Sequence, residues 1–286
     1  MINIKKKSGL LCLLTMATSI FFTACNKSDS TPGGGITPLT YKFAYADSVL
    51  YPQGEQSEVQ VYSPLTPRNG IYTSFPEGLE IDQSSGKIKI HDSETGIKYR
   101  VYYRSTDGLV KDSTLITVSG INFLDGVYTI NTIDSIVKPL YNAAAGNALP
   151  GSGSGSLFDE GGGCNGGGCA LDLTNAKINL AQTVRNGVFG STPTNGSSKE
   201  FTLNFRLNDR SGKGGNKIKF KVFYFKKLSD VNQQVWDLLN GRNGTVINNF
   251  SNTGNTPIQG FTGGNITQNS LTGKGRRPPC VVILSQ

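Results

Sequence analysis

The chain has 286 residues, of which 36% are hydrophobic, 17% are charged and 36 are glycine. So few apolar residues argue against one large compact core and favour β-domains with long polar loops. Residues 25–120 hold nine Lys or Arg against eleven Asp or Glu, whereas residues 121–286 hold sixteen against nine. A basic half can attract anionic polymers or lipid head groups. Because no dense Lys/Arg block interleaved with aromatics occurs, we expect these residues to solvate strand faces, and we expect no nucleic-acid partner.

Residues 1–24 have the three parts of a secretory signal peptide. Residues 1–7 hold three lysines and no acid, residues 9–22 are uncharged and mostly apolar, and the small residues Thr23 and Ala24 precede Cys25. The apolar run is too short for a membrane-spanning helix, which needs about 20 residues. We therefore predict a cleaved signal and not a permanent span.

The end of this signal, Phe22-Thr23-Ala24-Cys25, resembles the lipobox of bacterial lipoproteins. The resemblance implies cleavage between Ala24 and Cys25 and lipid attachment, palmitate included, on the Cys25 thiol and amine. It departs at Phe22, where Leu is commoner, a change found in Bacteroidetes-like lipoproteins. Stable anchoring takes more than one acyl chain, which a triacylated cysteine supplies. The implied location is the outer membrane, with the periplasmic or surface side left open. The alternative is an ordinary secretory signal with Cys25 incidental.

Gly, Ser, Thr and Pro dominate residues 26–40, and nothing in them is periodic. Such a composition is typical of flexible linkers. We predict that residues 25–40 form a lipidated tether that lets the folded part stand off the membrane.

Residues 41–119 are predicted to form a β-sandwich, because short alternating segments follow one another with turn signals between them. In the clearest unit, residues 79–90, apolar residues alternate on either side of a turn at Gly86, where a glycine tolerates positive φ. The other predicted strands span residues 41–45, 59–62, 99–104 and 114–118, and in the third of these Tyr99, Val101 and Tyr103 share one face.

The same segment resembles the immunoglobulin-like domains of bacterial surface proteins. The matching residues are Phe75-Pro-Glu-Gly-Leu-Glu-Ile-Asp82, Ser85-Gly86-Lys87-Ile88, Tyr99-x-Val101 and Asp107-Gly108. The segment departs from these families at His91-Asp-Ser-Glu-Thr95, which replaces their usual Gly-Thr-Pro. The resemblance implies a spacer or adhesive module without catalytic residues.

Residues 120–286 are predicted to form a second β-rich domain with one short helix, and they resemble no family. Strands are predicted at residues 126–131, 171–180, 201–208, 217–222 and 278–284, the last of them buried. Ser229 is a candidate N-cap and Gly241 a candidate stop for the helix. No internal repeat between the two halves is evident. The fold class is therefore all-β throughout.

Three cysteines remain beyond Cys25, so at most one bridge forms within the chain. Cys164 and Cys169 flank a glycine-rich stretch, and we predict a local disulfide between them because five-residue spacing closes easily. A bridge from either one to Cys280 stays open. A metal site is disfavoured because zinc sites need a second close ligand pair and the one histidine, His91, is in the other half. No cofactor is expected.

The glycine-rich loop, residues 147–169, lacks the pattern of a phosphate-binding loop. We expect a disordered surface excursion from Asn147 to about Gly163, with a mobile binding loop as the alternative. Asp159 and Glu160 are expected to be solvated loop acids, since neighbours in sequence rarely face each other across a cleft. His91 is expected to be exposed, and Trp236 to be half-buried or in the core.

The sequence favours a non-catalytic cell-envelope lipoprotein that binds or adheres to a polysaccharide or protein partner. One alternative is a structural envelope component that works by protein–protein contact along strand edges. A glycan hydrolase is disfavoured because motifs for nucleophilic or acid–base catalysis are missing from the sequence. No catalytic residue is therefore assigned.

Overall fold

The chain folds mainly into short β-strands, which confirms the predicted all-β class. The computed structural model describes residues 42–130, 135–144, 146–243 and 278–286. The predicted signal peptide, the lipid site at Cys25 and the tether at 25–40 lie outside these described residues.

Fifteen strands and two short helices occur in the described residues. The strands up to residue 120 are β1 (Val49–Leu50), β2 (Val61–Tyr62), β3 (Gly70–Phe75), β4 (Ile88–Lys89), β5 (Ile97–Ser105) and β6 (Lys111–Val118). The later strands are β7 (Ile121–Phe123), β8 (Gly126–Thr129), β9 (Ile136–Val137), β10 (Pro139–Tyr141), β11 (Leu157–Phe158), β12 (Ile178–Asn179), β13 (Ser198–Arg206), β14 (Gly215–Phe225) and β15 (Cys280–Leu284). The helices are α1 (Leu180–Arg185) and α2 (Gln233–Asn243).

The first sheet has the strand order β1-β6-β5-β3, and β2 pairs with β4 in a separate small sheet. β1 runs parallel to β6, while β5 is antiparallel to both of its neighbours. Tyr99, Val101 and Tyr103 are buried on the inner face of β5, as their alternation predicts. The ring of Tyr103 lies 5.1 Å from that of Tyr72, and Phe43 lies 5.6 Å from Tyr72, so aromatic rings form much of this core.

The second sheet has the strand order β11-β13-β14-β15-β8. Its inner face carries Phe201, Leu203 and Phe205 of β13, which are buried with Ile218 and Phe220 of β14. The three residues of β13 share one face, as predicted, because side chains alternate along a strand.

β15 lies within the second sheet and is buried on both of its faces. Val281 and Ile283 belong to the inner core, whereas Cys280, Val282 and Leu284 pack beneath helix α2. Burial on both faces explains why this strand is apolar at every position and runs parallel to its neighbours β14 and β8. The predicted buried strand at 278–284 is thus present.

Helix α2 begins later than predicted. Asn232, and not Ser229, is the residue whose side chain accepts a hydrogen bond from the first turn, from the Val235 N–H at 3.1 Å. Ser229 instead lies in a 3-10 turn, Leu228–Asp230. An Asn side chain is as good a cap as Ser, so the two candidates could not be separated by residue type alone. Helix α1 was not predicted.

The two parts of the chain repeat one strand arrangement, although no repeat is evident in the sequence. In chain order, β1 to β6 correspond to β8, β9, β11, β12, β13 and β14. Corresponding strands have the same neighbours and run in the same relative directions. The one exception is that β15 lies between β8 and β14, whereas β1 pairs directly with β6.

The turn before β4 recurs before β12, the corresponding strand of the second part. The Asp82 N–H donates to Lys87 O and the Gly86 N–H to Asp82 O, both at 2.8 Å. The Asp172 N–H donates to Lys177 O and the Ala176 N–H to Asp172 O at the same distances. Gly86 and Ala176 occupy the same left-handed position, with φ of 71° and 55°. The repeat escaped sequence analysis because it is carried by an Asp-Lys-Ile spacing and not by a shared glycine.

The end of β13, the connection that follows it and the start of β14 contact the segments before and after β1. Arg206 binds Glu55 at 2.7 Å, and Arg210 binds Asp47 at 2.8 Å. The Gly215 N–H also donates to Gly54 O at 2.8 Å. The described residues accordingly belong to one compact unit. The predicted division at residues 119 and 120 stays a prediction.

Candidate binding surface

The outer face of the first sheet is a regular surface that the core of this sheet does not use. β5 alternates strictly, so that Lys98, Arg100, Tyr102 and Arg104 are exposed while their neighbours are buried. Ile71 of β3 and Leu115 of β6 are also exposed, at 44% and 46%. The outer face consists of Ile71, Thr73 and Phe75 of β3, Lys98, Arg100, Tyr102 and Arg104 of β5, and Lys111, Ser113, Leu115 and the buried Thr117 of β6.

Strand register arranges this outer face in rows. Arg104 lies between Ile71 and Lys111, which places two cations directly opposite each other. Tyr102 lies between Thr73 and Ser113, in the middle of the face.

The neighbouring row adds a third cation between two apolar side chains. Arg100 lies between Phe75 and Leu115, and its Nη1 donates to the Ser113 hydroxyl at 3.3 Å. The face therefore combines cations, one central aromatic ring and aliphatic side chains.

The charge of this outer face is uncompensated. None of its eleven positions is Asp or Glu. Within the described residues, no ion pair involves any of its four cations. Two acids of the same half, Asp47 and Glu55, are bound to Arg210 and Arg206 instead.

The second sheet presents a contrasting outer face. Lys219 binds Glu200 at 3.1 Å, and the ammonium of Lys221 lies 4.9 Å from the centre of the Phe223 ring. β14 contributes three of the sixteen Lys or Arg of residues 121–286. Because Lys219 and Lys221 have partners within their own sheet, less of the positive charge of this face is uncompensated.

Cys164 and Cys169 lie side by side in the inner core of the second half. They are 0% and 1% exposed and are thiols in the structure. The Cys169 N–H donates to Cys164 O at 3.0 Å. The adjacent Cys169 thiol and burial both raise the pKa of the Cys164 thiol. Cys280 lies on the other side of the second sheet, beneath α2, so the sheet separates it from this pair.

The glycine-rich loop is ordered by hydrogen bonds, so the expected disordered excursion is wrong. The Asp159 carboxylate accepts from the Cys164 N–H at 2.7 Å and from the Asn165 N–H at 2.8 Å. The Asn165 side chain in turn accepts from the Leu171 N–H at 2.9 Å. Glycine content suggested disorder, but one buried carboxylate and one amide organise the whole turn.

The adjacent acids have separate structural partners. Asp159 is 6% exposed, so the expectation of a solvated acid is wrong for it. Glu160 forms an ion pair with Arg206 at 2.8 Å. Both carboxylates therefore stabilise the fold where they lie.

His91 is buried, which corrects the expectation that it is exposed. Its side chain is 8% exposed and its Nε2 lies 3.1 Å from Gln53 O. The turn that carries it folds beneath the loop after β1, which sequence spacing does not reveal. Trp236 is half-buried against the α2 core, as expected.

The outer face of the first sheet was not predicted from the sequence. The signal was present as the alternation of Lys98, Arg100, Tyr102 and Arg104 with buried residues. Alternating polar residues on a strand ordinarily indicate a solvated face. Recognising a binding surface requires knowing that the face has no acid among its own positions and that these cations form no ion pair, and that depends on register and tertiary pairing.

Two further observations concern the described residues. They include no group of three or more His, Cys, Asp or Glu placed to hold a metal ion. None of their helices is long and apolar enough to cross a membrane.

The described residues define an all-β chain built on one four-stranded sheet, one five-stranded sheet and three two-stranded pairs. No protein-family model and no curated protein matches it. Among solved structures it is similar to a SusE-like surface-located polysaccharide-binding protein from the Bacteroides thetaiotaomicron heparin utilisation locus, with a TM-score of 0.23 and 11% identity over 65% of this chain and 34% of that one.

Two further solved structures are also similar to the chain. The N-terminal four Ig domains of a Dscam1 isoform give a TM-score of 0.19 and 14% identity over 62% of this chain and 44% of theirs. Extracellular domains 3–5 of Drosophila OTK give a TM-score of 0.17 and 9% identity over 64% of this chain and 61% of theirs. The chain thus spans less than two thirds of each of these three structures.

Proposed function

We propose that this chain is a non-catalytic binding protein of the bacterial cell envelope, held at the outer membrane by lipid on Cys25. It holds a polysaccharide or protein partner against the outer face of the first sheet. The observation that carries the proposal is this face. It is a regular surface with exposed aromatic, aliphatic and cationic side chains that do not pack in the core. Exposed apolar groups clustered on one surface are typical of interaction sites.

Several features support binding over catalysis. Asp159 and Glu160 are each engaged by backbone N–H groups or by Arg206, and His91 contacts Gln53 O. A general acid or nucleophile must instead be free to reach substrate in a cleft. The outer face is formed by a sheet, which suits an extended partner.

The anchor is tested in bacteria that express the full precursor. We expect wild-type protein to incorporate radiolabelled palmitate and to fractionate with membranes, and we expect Cys25→Ala to lose both. Cys12→Ala is the matched control, because Cys12 lies within the predicted apolar run and is removed with the signal. Continued labelling of the Cys25 variant would refute the lipid anchor.

The binding surface is tested with the full-length lipoprotein in detergent on arrays of glycans and of envelope proteins. We expect Tyr102→Ala combined with Leu115→Ala to reduce retention. Leu157→Ala combined with Leu173→Ala is the control, because both of these leucines are about as exposed but lie in the second half. Release of shortened glycan products by the wild-type protein would show an enzyme and overturn the proposal.

A further inference from the structure

The outer face of the first sheet places two like charges directly opposite each other on neighbouring strands. Arg104 and Lys111 lie directly opposite each other on neighbouring strands, and like charges in that position are destabilising. Lys98 and Arg100 extend the positive charge along β5. The described residues supply no acid on this face to offset it. A bound anion would relieve the repulsion.

We propose that this outer face binds an acidic polysaccharide, carboxylated or sulfated, as the ligand of the binding function proposed above. The inference rests on that function and narrows its ligand to one chemical class. Its basis is the placement of four exposed, uncompensated cations around one central aromatic ring.

The geometry of the strand sets the length of ligand that the face can hold. Residues two apart on a strand are about 7 Å apart, so Lys98, Arg100, Tyr102 and Arg104 form a row about 20 Å long. A row of this length on an open sheet suits consecutive units of an extended polymer. A small ligand would need a concave pocket that encloses it.

The side-chain chemistry matches acidic groups on such a polymer. Arg guanidinium groups donate two parallel hydrogen bonds to carboxylate, phosphate and similar oxyanions. Arg100 and Arg104 lie on either side of Tyr102 along β5. The Tyr102 ring has an apolar face and a hydroxyl group, which suits a sugar ring packed against it while its acidic substituents reach the two arginines.

The same composition disfavours two other classes of partner. Platforms for single-stranded nucleic acid stack successive bases on several aromatic side chains, whereas Tyr102 is the one exposed aromatic residue of the outer face. Protein interfaces are depleted of charge at their centre, whereas Arg100 and Arg104 flank the centre of this face.

The test uses the full-length lipoprotein in detergent and a pair of polymers with the same glucan backbone, dextran sulfate and neutral dextran. Polygalacturonate supplies the carboxylated arm. We expect binding to both acidic polymers and none to dextran. The affinity should fall as salt is raised from 0.05 to 1 M, since the screening length shrinks from above about 10 Å to about 3 Å.

The decisive variant is Arg100→Gln combined with Arg104→Gln. Losing two partly exposed contacts should weaken binding about five- to tenfold. The control is Lys226→Gln combined with Lys227→Gln, which removes the same charge from exposed positions of the second half and should leave affinity unchanged. Equal loss in the two variants would overturn the proposal in favour of a general effect of net charge.

A second variant separates the ligand role from a folding defect. Lys111→Glu creates an opposite-charge pair with Arg104, so we expect a higher melting temperature together with weaker binding. Unchanged binding in this stabilised protein would overturn the inference.

Two other outcomes are informative. Equal affinity for dextran, or equal or tighter binding of single-stranded DNA, would refute an acidic glycan as the ligand while leaving a binding protein intact. Failure to retain any glycan or envelope protein would remove the proposed function as well.

Discussion

Cys164 and Cys169 are neighbours both in the sequence and in the structure, which leads to a prediction about their oxidation state. Both thiols are buried, and the two sit next to each other on a turn that Asp159 holds in place. We expect protein recovered from an oxidising compartment to contain a disulfide between them, formed by thiol–disulfide exchange in which the two thiols lose two protons and two electrons to a disulfide oxidant, which is reduced to a dithiol. Closing so small a loop contributes about 2 kcal/mol.

Mass mapping under non-reducing conditions checks this prediction. A linked Cys164–Cys169 peptide is expected, together with a free thiol at Cys280. Reduction should lower the melting temperature of the wild-type protein and leave that of the Cys164→Ser, Cys169→Ser double variant unchanged. Alkylation of both thiols in fully oxidised protein would contradict the bridge.

The glycine-rich loop shows why composition is a poor guide to order at the level of an element. Its glycines are needed for specific reasons: Gly162 adopts φ of 69°, and a side chain on Gly163 would meet backbone. Sequence composition predicted disorder because it does not show that Asp159 folds back on the turn. The same limit applies to the strands, because β1, β4 and β9 have two residues each and are too short for any periodicity.

Gly163→Ala tests this interpretation of the loop. A Cβ at that position would lie 2.6 Å from Thr202 O, so the loop must shift and we expect a loss of about 1–3 kcal/mol in the free energy of unfolding. Gly166→Ala is the matched control, since nothing lies within 4 Å of its Cβ. Its effect should stay within about 0.5 kcal/mol. Equal melting temperatures for the two variants would count against the close contact.

Long, strictly alternating strands were the elements that the sequence predicted well. The buried faces of β5, β13 and β14 follow directly from their alternation. The candidate binding surface was not predictable in this way. Asp47 and Glu55 are near the first sheet in sequence, but their partners Arg210 and Arg206 lie more than 150 positions away along the chain. Which cations remain uncompensated is thus decided by tertiary pairing.

At the scale of the whole molecule, the same long-range pairing joins the two parts of the chain that repeat one strand arrangement. Arg206 binds Glu55 in the loop after β1, whereas Arg210 binds Asp47 just before β1 and its guanidinium lies 4.9 Å from the centre of the Tyr51 ring. Ser119 and Tyr141 both donate to the Asp209 carboxylate, at 3.2 and 2.7 Å. The connection between the parts is therefore fixed by contacts on several sides.

We expect the described unit to unfold in a single calorimetric transition because of these contacts. Arg206→Ala combined with Arg210→Ala should lower its midpoint and separate it into two transitions. Lys177→Ala combined with Arg185→Ala removes the same charge from the second half away from this contact and should preserve one transition. Two resolved transitions in the wild-type protein would contradict the prediction.

Acid should have the same effect as the double substitution. Hydrogen bonds from Arg206 lower the pKa of Glu55, and those from the Val49 N–H and Arg210 lower the pKa of Asp47. A carboxyl group with a lowered folded-state pKa stabilises the fold above its ordinary value, here 4.5 and 3.8. That stabilisation is lost as pH falls through the folded-state values. Calorimetry at neutral pH and below pH 4 checks the direction.

The position of β15 has a consequence for the order in which the protein can be built. This strand lies between β14 and β8, although β8 precedes it by about 150 residues. The first sheet needs nothing beyond Val118 and can close while synthesis continues. The second must leave a gap beside β14, with apolar groups open on both sides, until the last strand arrives. During that interval the exposed strand edges of a nascent chain can pair incorrectly. We therefore expect holdase chaperones to bind the chain mainly at this stage.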